Sequence, residues 1–415
     1  MKTTCREQSN RATSNARSLG VPLIDVNRQN GALWEEILAA IDRCCESGRF
    51  VLGPECDELE RAVARYCGAE HAIGCASGSD ALLLALVACG VERGDEVILP
   101  SFTFFATAGA VWHAGARPVF VDIDAQSFNI DPAQIEAKIT PATKAIIPVH
   151  LYGQCAEMEP ILQLAGRHGL AVIEDAAQSI GARYNGRFAG TMGDVGCLSF
   201  YPTKNLGGFG DGGMLITNRG EIADRLRLLR VHGMQPRYHH HVVGFNSRLD
   251  TLQAAVLLVK LSHLDGWSAQ REANAMRYGE MLAREGLDSV VEPPQAGPDR
   301  RHVWNQYVVR IKGARRDALR QYLADRKIGT EIYYPVPLHL QECFRGLAYA
   351  EGSLPESERA ALESLALPIF PELTLEEQQL VVTSIAEFFV DQNATDGGVR
   401  PPHAIVQFVR KRMGV

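Results

Sequence analysis

The stretch SFYPTKNLGGFGDGG, residues 199–213, decides how the rest of the chain is read. The apolar run Val195–Phe200 has the profile of a buried strand, and it stops at Tyr201-Pro202. Lys204 follows, and after it glycines at 207, 208, 210, 212 and 213. A surface lysine needs none of this. A lysine that condenses with an aldehyde and then moves a proton needs a constrained backbone and a partly desolvated amine of lowered pKa. It also needs room for a flat group beside it, which glycine supplies because backbone approaches closely where no Cβ intrudes. A solvated loop lysine is the bland alternative, so the flanking sequence must decide between the two.

Working outward, short apolar runs alternate with helical patterns. Candidate strands are His71–Cys75, Glu96–Leu99, Pro118–Val121, Ala145–Val149, Leu170–Glu174, Val195–Ser199 and Met214–Thr217. Helical periodicity occurs at Leu33–Ser47, Glu55–Cys67, Ser77–Cys89, Phe104–His113, Pro132–Ile139 and Met158–Arg167. This alternation predicts an α/β fold with a mainly parallel sheet covered on both faces. A long helical region, Glu221–Glu285, is interrupted around Gly233–Gly244. Val290–Asp299 reads as a linker or surface loop, and a smaller α+β unit follows. Its expected strands are Val303–Ile311 and Gly329–Tyr333, and its helices Arg316–Arg326, Glu356–Ala366 and Leu375–Phe389. The expected division is a tail (1–20), a large domain (21–265), a small domain (266–391) and a second tail (392–415) with some helical periodicity at Ala404–Arg412.

The 415 residues are 46% hydrophobic and 22% charged, an ordinary globular profile. A formal net charge of −7, with no basic helix or stripe, argues against a nucleic-acid partner. No apolar run approaches the ~18 residues of a membrane span, and residues 1–20 lack the apolar stretch of a secretory signal. The ten cysteines show no metal-type pairing and mostly sit in apolar stretches, which points to a reducing cytosol.

Several residues then stand out. Ser77-Gly78-Ser79-Asp80 follows a strand and opens a helix, a place for a phosphate or simply an N-cap. Asp175 follows the strand Leu170–Glu174 and so sits at the sheet edge where open α/β sheets bind ligands. There it either pairs with a pyridine nitrogen or caps a helix. Gln178, three residues on, is within reach of a phenolic oxygen of the same ring. Ser199 offers a hydroxyl to a phosphate or to backbone, and Phe104 in PSFTFFAT stacks on a flat ring or fills core. Asn246 and Arg248 in GFNSRLD share a face if that segment is extended. His239–His241 invite a metal reading, but adjacent ligands cannot converge without a turn and no second cluster exists, so no metal is expected.

These signals occur together and in order. From Val21 to Phe389 the chain resembles the sugar aminotransferases of the DegT/DnrJ/EryC1/StrS family, fold-type I pyridoxal-phosphate enzymes with a seven-stranded, mainly parallel sheet. The resemblance is carried by SGSDALLLAL, PSFTFFATAGAV, GARPVFVDID, PVHLYGQ, VIEDAAQSIGA, SFYPTKNLGGFGDGG and GFNSRLDTLQAA. It implies that Lys204 forms the Schiff base with pyridoxal 5′-phosphate and that Asp175 pairs with the pyridine nitrogen. Gln178 would lie by the ring hydroxyl, Gly78, Ser79 and Ser199 would hold the phosphate, and Phe104 would stack on the ring. It further implies a homodimer with shared sites, Asn246 completing the partner's phosphate site. Tyr333, Tyr334 and His339, in YYPVPLHLQ, match a stretch lining the sugar pocket. Ser79 stands where threonine is commoner, and Phe209 and Asp211 break the usual Gly-Gly-Gly-Glu run.

RYHHHVVGFNSRLDTLQAA is most similar to the subgroup acting on 3-keto nucleotide sugars, in particular UDP-2-acetamido-2-deoxy-3-oxo-glucuronate aminotransferases. Arg248 would then meet a substrate carboxylate or the nucleotide phosphates, and glutamate would be the amino donor, in the biosynthesis of cell-surface polysaccharide or glycosides. Two other readings keep the fold. One is a non-catalytic regulator, which an intact Lys204, Asp175 and phosphate loop oppose. The other is a dehydratase, in which histidine replaces the lysine.

Overall fold

The computed structural model describes residues 20–395, so residues 1–19 and the expected helical stretch Ala404–Arg412 lie outside the described residues. Seven strands form the central sheet: β1 (His71–Cys75), β2 (Glu96–Pro100), β3 (Arg117–Val121), β4 (Thr143–Ile146), β5 (Ala171–Asp175), β6 (Val195–Ser199) and β7 (Gly213–Thr217). Their order is β1-β7-β6-β5-β4-β2-β3. β7 runs antiparallel to β1 and β6, and every other neighbouring pair is parallel.

Successive side chains of a strand point to opposite faces, and here both faces are buried. Ile98 joins the core shared with Leu59, Ile161 and Leu257, from three helices on one side. Val97 and Leu99 join the core shared with Leu82, Val111 and Leu226, from three helices on the other. That is why these strands read as near-continuous apolar runs.

A second, antiparallel sheet joins Val291–Glu292, Tyr307–Ile311 and Ser364–Leu367. Its core brings Tyr307, Val309 and Leu365 together with Tyr278, Leu319 and Val381 from three further helices.

The structure corrects several elements. Pro132–Ile139 is two 3-10 turns, Pro132–Gln134 and Glu136–Lys138, rather than one helix. Asp131 caps the first turn, and of these eight residues only Ile135 is buried, too narrow an apolar stripe to dock a helix. The expected helix Glu356–Ala366 ends at Glu363, and Ser364–Leu367 becomes a strand because Leu365 and Leu367 pack into the second core. Gly329–Tyr333 contributes one bridge, Glu331 to Ala366, and only Tyr307–Ile311 of the run from Val303 is strand. The expected loop 290–299 supplies the short strand Val291–Glu292.

Buried polar groups brace the carboxyl edge of the sheet. Glu174 accepts from the N–H groups of Gly190 (2.7 Å), Met192 (2.6 Å) and Gly193 (2.6 Å), and it lies 2.8 Å from His150 Nε2. Ala156 N–H donates to His150 Nδ1, so Nε2 carries the proton given to Glu174. Glu174→Ala removes one acceptor from four donors. It is expected to cost about 3–5 kcal/mol, read as a lower denaturation midpoint in urea.

Six of the nine described cysteines are buried, and all nine are free thiols. Among the described residues no helix is long and apolar enough to cross a membrane, and no group of three His, Cys, Asp or Glu could hold a metal ion. His240 and His241 instead bond to the carbonyls of His232 and Gln235.

Candidate active site

Asp175 ends β5, Ser199 ends β6, and Lys204 follows β6 after one turn, its N–H bonded to the Tyr201 carbonyl at 2.8 Å. Glycine is needed in this loop: a Cβ on Gly207 would stand 2.3 Å from the Pro202 carbonyl oxygen. The Lys204 residue is half-buried, and burial of its amine lowers the pKa to about 8 while the neighbouring Asp175 charge pulls it back up. Asp175 is buried and accepts from Thr107 Oγ1 at 2.8 Å and from Ala177 N–H at 3.2 Å. Burial pushes its carboxyl above the ordinary range, and those two donors, Lys204 and His150 partly offset the shift. A carboxylate in this setting is short of a cation.

The helix Gly78–Ala88 starts beside Ser199. Ser77 caps it, accepting from Asp80 N–H at 3.1 Å. By helix geometry the N–H groups of Gly78 and Ser79 have no partner within the helix, and the dipole favours an anion there. A Cβ on Gly78 would lie 2.7 Å from that of Ser199, so only glycine lets the helix start and the strand end close together. The segment 244–250 is tied to the same place. Ser247 is buried and donates to Asp80 Oδ2 at 2.7 Å, and Ala76 N–H donates to its hydroxyl at 3.2 Å. Asn246 is exposed and Arg248 half-buried, consistent with the i, i+2 spacing. Neither bonds to Asp175 or Lys204 within this chain.

Gln178 accepts from Tyr152 N–H at 2.7 Å and donates to the Tyr334 hydroxyl at 3.3 Å. Tyr334 lies near enough to Asp175 for that charge to raise its hydroxyl pKa, after burial. The Phe104 ring is 56% exposed and 6.1 Å from that of Tyr334, so it stands at the mouth of the site rather than in the core. The Tyr333 carbonyl accepts from the Tyr152 hydroxyl. His339 is the exception. It is buried with Nδ1 2.6 Å from Ser101 Oγ and Nε2 3.1 Å from Glu358 Oε1, and burial pulls its pKa down. Both ring nitrogens are engaged within the chain. Sequence reading passed over Thr107, Tyr152, His150 and Ser247. All four lie inside quoted motifs, but what each bonds to is visible only in three dimensions.

Elsewhere, a hollow of about 280 Å³ lined by Ala88, Cys89, Ala171, Arg219 and Glu221 sits at the amino ends of the parallel strands. Its Arg219 and Glu221 are paired with each other, and it is remote from Lys204.

The carboxyl edge suits pyridoxal 5′-phosphate. Gly78, Ser79 and Ser199 form a cradle that a side chain at position 78 would fill. Asp175 needs a cation, and Lys204 has an amine that is partly neutral near pH 8. A charge arrangement of this kind on a sheet of this topology belongs to the fold-type I aminotransferases.

The profile of the DegT/DnrJ/EryC1/StrS aminotransferase family matches residues 32–386, and the chain belongs to that family. It is 54% identical over 371 residues to a pleiotropic regulatory protein of Geobacillus stearothermophilus, covering 89% of this chain and 99% of the relative. A dTDP-3-amino-3,4,6-trideoxy-alpha-D-glucose transaminase of Streptomyces venezuelae is 46% identical, covering 91% and 98%. A UDP-2-acetamido-2-deoxy-3-oxo-D-glucuronate aminotransferase of Pseudomonas aeruginosa is 42% identical, covering 88% and 99%. Identity alone therefore does not single out the 3-oxo-glucuronate subgroup. Among solved structures, ntda of Bacillus subtilis with bound cofactor PMP superposes with a TM-score of 0.83 at 35% identity, covering 90% of this chain and 86% of that one.

Proposed function

We propose that the protein transfers an amino group from glutamate to the ketone of a nucleotide sugar with pyridoxal 5′-phosphate, in cell-surface polysaccharide or glycoside biosynthesis. The observation that carries this reading is the Lys204 amine, with its pKa lowered to about 8, beside the buried Asp175. A 3-keto sugar, such as UDP-2-acetamido-3-oxo-glucuronate, is favoured because the names of the Streptomyces and Pseudomonas relatives both place the amine or ketone at carbon 3. PMP bound in the Bacillus subtilis structure supports the cofactor. Free thiols throughout the described residues agree with a cytosolic setting. The proposed domain boundary at 265/266 draws support from the helix Leu264–Arg284, which gives Leu264 to the large core and Tyr278 and Leu282 to the small one.

When bound, pyridoxal 5′-phosphate supplies the carbonyl that carries the amino group and a ring that takes up the electrons left when a proton departs. Gly78, Ser79 and Ser199 hold its phosphate, with Asn246 of the partner copy completing that site in a homodimer. Asp175 holds the ring nitrogen protonated, and Phe104 covers the ring face. Gln178 uses one amide hydrogen on Tyr334, which leaves the other for the ring hydroxyl. Lys204 Nζ takes the proton from the α-carbon of the donor and returns one to the former ketone carbon of the acceptor. Tyr333 and Tyr334 line the sugar side, and Arg248 receives a carboxylate or phosphate in bidentate fashion.

The test begins with absorbance. Protein supplemented with the cofactor should be yellow, borohydride should abolish the colour and leave the cofactor covalently attached to Lys204, and glutamate should bleach an unreduced sample. A panel of 3-keto and 4-keto nucleotide sugars should then restore the colour, 3-keto sugars fastest. A colourless supplemented protein would overturn the reading. A non-catalytic regulator on the same fold is the second reading, favoured by the name of the 54% identical relative. It requires that no keto sugar restore the colour. A dehydratase is disfavoured by Lys204, and bleaching by glutamate argues further against it.

Two more outcomes are expected. Thr107→Val removes the hydroxyl bonded to Asp175 and should lower kcat roughly 10- to 100-fold, from the ~1.5–3 kcal/mol of a hydrogen bond to a charged group. Mixing inactive Lys204→Ala subunits with inactive Asn246→Ala/Arg248→Ala subunits should restore part of the activity through hybrid dimers. Demonstrated subunit exchange without recovery would rule out shared sites.

A further inference from the structure

Lys204 is followed by a residue whose side chain faces away from the proposed chemistry. Asn205 is 3% exposed. Its Nδ2 donates to the Val303 carbonyl at 2.8 Å, and its Oδ1 accepts from Asn305 Nδ2 at 2.7 Å. Asn305 is likewise buried. One amide therefore uses both its ends on a segment about a hundred residues further along the chain.

That segment, 302–306, is held from several directions. Val303 N–H donates to the Gly153 carbonyl at 3.0 Å, and Gln306 N–H donates to the Tyr152 carbonyl at 3.2 Å. Gly153 has φ +106°, and a Cβ there would stand 3.0 Å from the backbone nitrogens of Trp304 and Asn305. Buried Arg271 donates through Nη1 to the carbonyls of Trp304 (3.2 Å) and Asn305 (3.4 Å) and also to Ile369 (3.0 Å). Beyond residue 306 the chain enters the central strand of the second sheet, Tyr307–Ile311. Tyr152 in turn bonds to Gln178 through its N–H and to the Tyr333 carbonyl through its hydroxyl. The lysine loop, the ring-facing glutamine and the tyrosine pair are thus all fastened to one strap.

We infer that Asn205 and Asn305 form an amide clamp that positions the Lys204 amine, with Asn205 the positioning residue and the 302–306 strap its anchor on the second sheet. The inference deepens the reading of Lys204 as the reacting amine and rests on it. The physical reason is leverage. The glycines after Lys204 leave its loop few side-chain contacts of its own, so adjacent backbone is held by the buried side chain next to it. An amide at position 205 satisfies a carbonyl and an N–H donor at once, and no apolar side chain of that size does so.

The test uses the full chain with cofactor removed. Lys204 is labelled with a trace amine-acylating reagent between pH 6 and 10, and its peptide is quantified by mass spectrometry. Only the unprotonated amine reacts, so the midpoint reports its pKa. In the parent chain the midpoint should lie near 8. In Asn205→Ala the amine should relax toward solvent and the midpoint should rise by about one pH unit, toward the ordinary lysine value. Asn305→Ala, which leaves the bond to the Val303 carbonyl, should give a smaller rise in the same direction. With cofactor and substrates present, kcat should fall roughly 10-fold in Asn205→Ala with little change in KM. The double variant should be no worse than Asn205→Ala, because the bond that Asn305→Ala breaks is already lost in Asn205→Ala.

An unchanged labelling midpoint in both variants, whatever their thermal stability, would overturn the clamp. Should Asn205→Ala fail to fold, Asn305→Ala decides alone by the same shift. Labelling does not depend on transamination, so failure of the clamp and failure of the aminotransferase reading give different results. The latter leaves the midpoint shift intact and the protein colourless.

Discussion

Lys204→Ala is expected to reduce transamination to background, a loss of at least about 10⁴-fold. The lysine alone presents an amine of lowered pKa at this edge, and in the proposed reaction it both anchors the cofactor and moves the proton. Losing a single acid–base group costs roughly 10²–10⁴-fold, and here the covalent anchor is lost with it. The variant should still fold. Lys204 is half-buried, its side chain carries no hydrogen bond among the described residues, and the turn at Tyr201 is made by backbone. The check is single-turnover amination by the cofactor-loaded protein, with circular dichroism to show a native fold. Appreciable turnover would remove Lys204 from the chemistry.

Asp175→Asn is the second large effect. The substitution keeps shape and one acceptor but removes the negative charge proposed to balance a protonated ring nitrogen. Breaking a buried charge pair costs about 3–5 kcal/mol, which corresponds to roughly 10²–10⁴-fold in rate. A second, independent sign follows from electrostatics. Asp175 raises the Lys204 pKa against the effect of burial. Without that charge the amine should lose its proton at a lower pH, so its labelling midpoint in the cofactor-free chain should fall below about 8. A rate near that of the parent chain, or a midpoint that rises, would count against the pairing.

Asp175→Asn and Asn205→Ala move the same observable in opposite directions. Removing Asp175 lowers the Lys204 midpoint because a favourable charge is lost. Loosening Asn205 raises it because the amine regains water. A general weakening of the fold does not produce both signs, which makes the pair more informative than either activity loss alone.

The periodicity of the chain was enough to place all seven strands of the central sheet to within a few residues. Both faces of that sheet are covered, so each strand is a short apolar run bounded by turn residues, and little else competes with that reading. The second sheet was less legible. Its outer strands are short, and the residues after the helix Pro355–Glu363 turn to strand because they pair with Tyr307–Ile311 and pack into the second core. Local propensity holds no record of such a partner. The same holds for His339. Its place in a motif suggested a ligand contact, while its bonds to Ser101 and Glu358, far from it in sequence or on another element, are visible only in the fold.

The sequence by itself determined the fold class, the family and the residues at the centre of the proposed chemistry. Lysine, carboxylate and glycine-rich turns are chemical identities, and their order along alternating strands sends them to one sheet edge. Tertiary structure alone decided which groups surround them: Thr107 on Asp175, Ser247 on Asp80, and Asn205 on the strap that feeds the second sheet. Those partners lie between sixty-eight and one hundred and sixty-seven positions apart. Hydrogen bonds at such separations follow from packing geometry, because only a folded core brings the two ends within three ångströms and excludes the water that would otherwise compete.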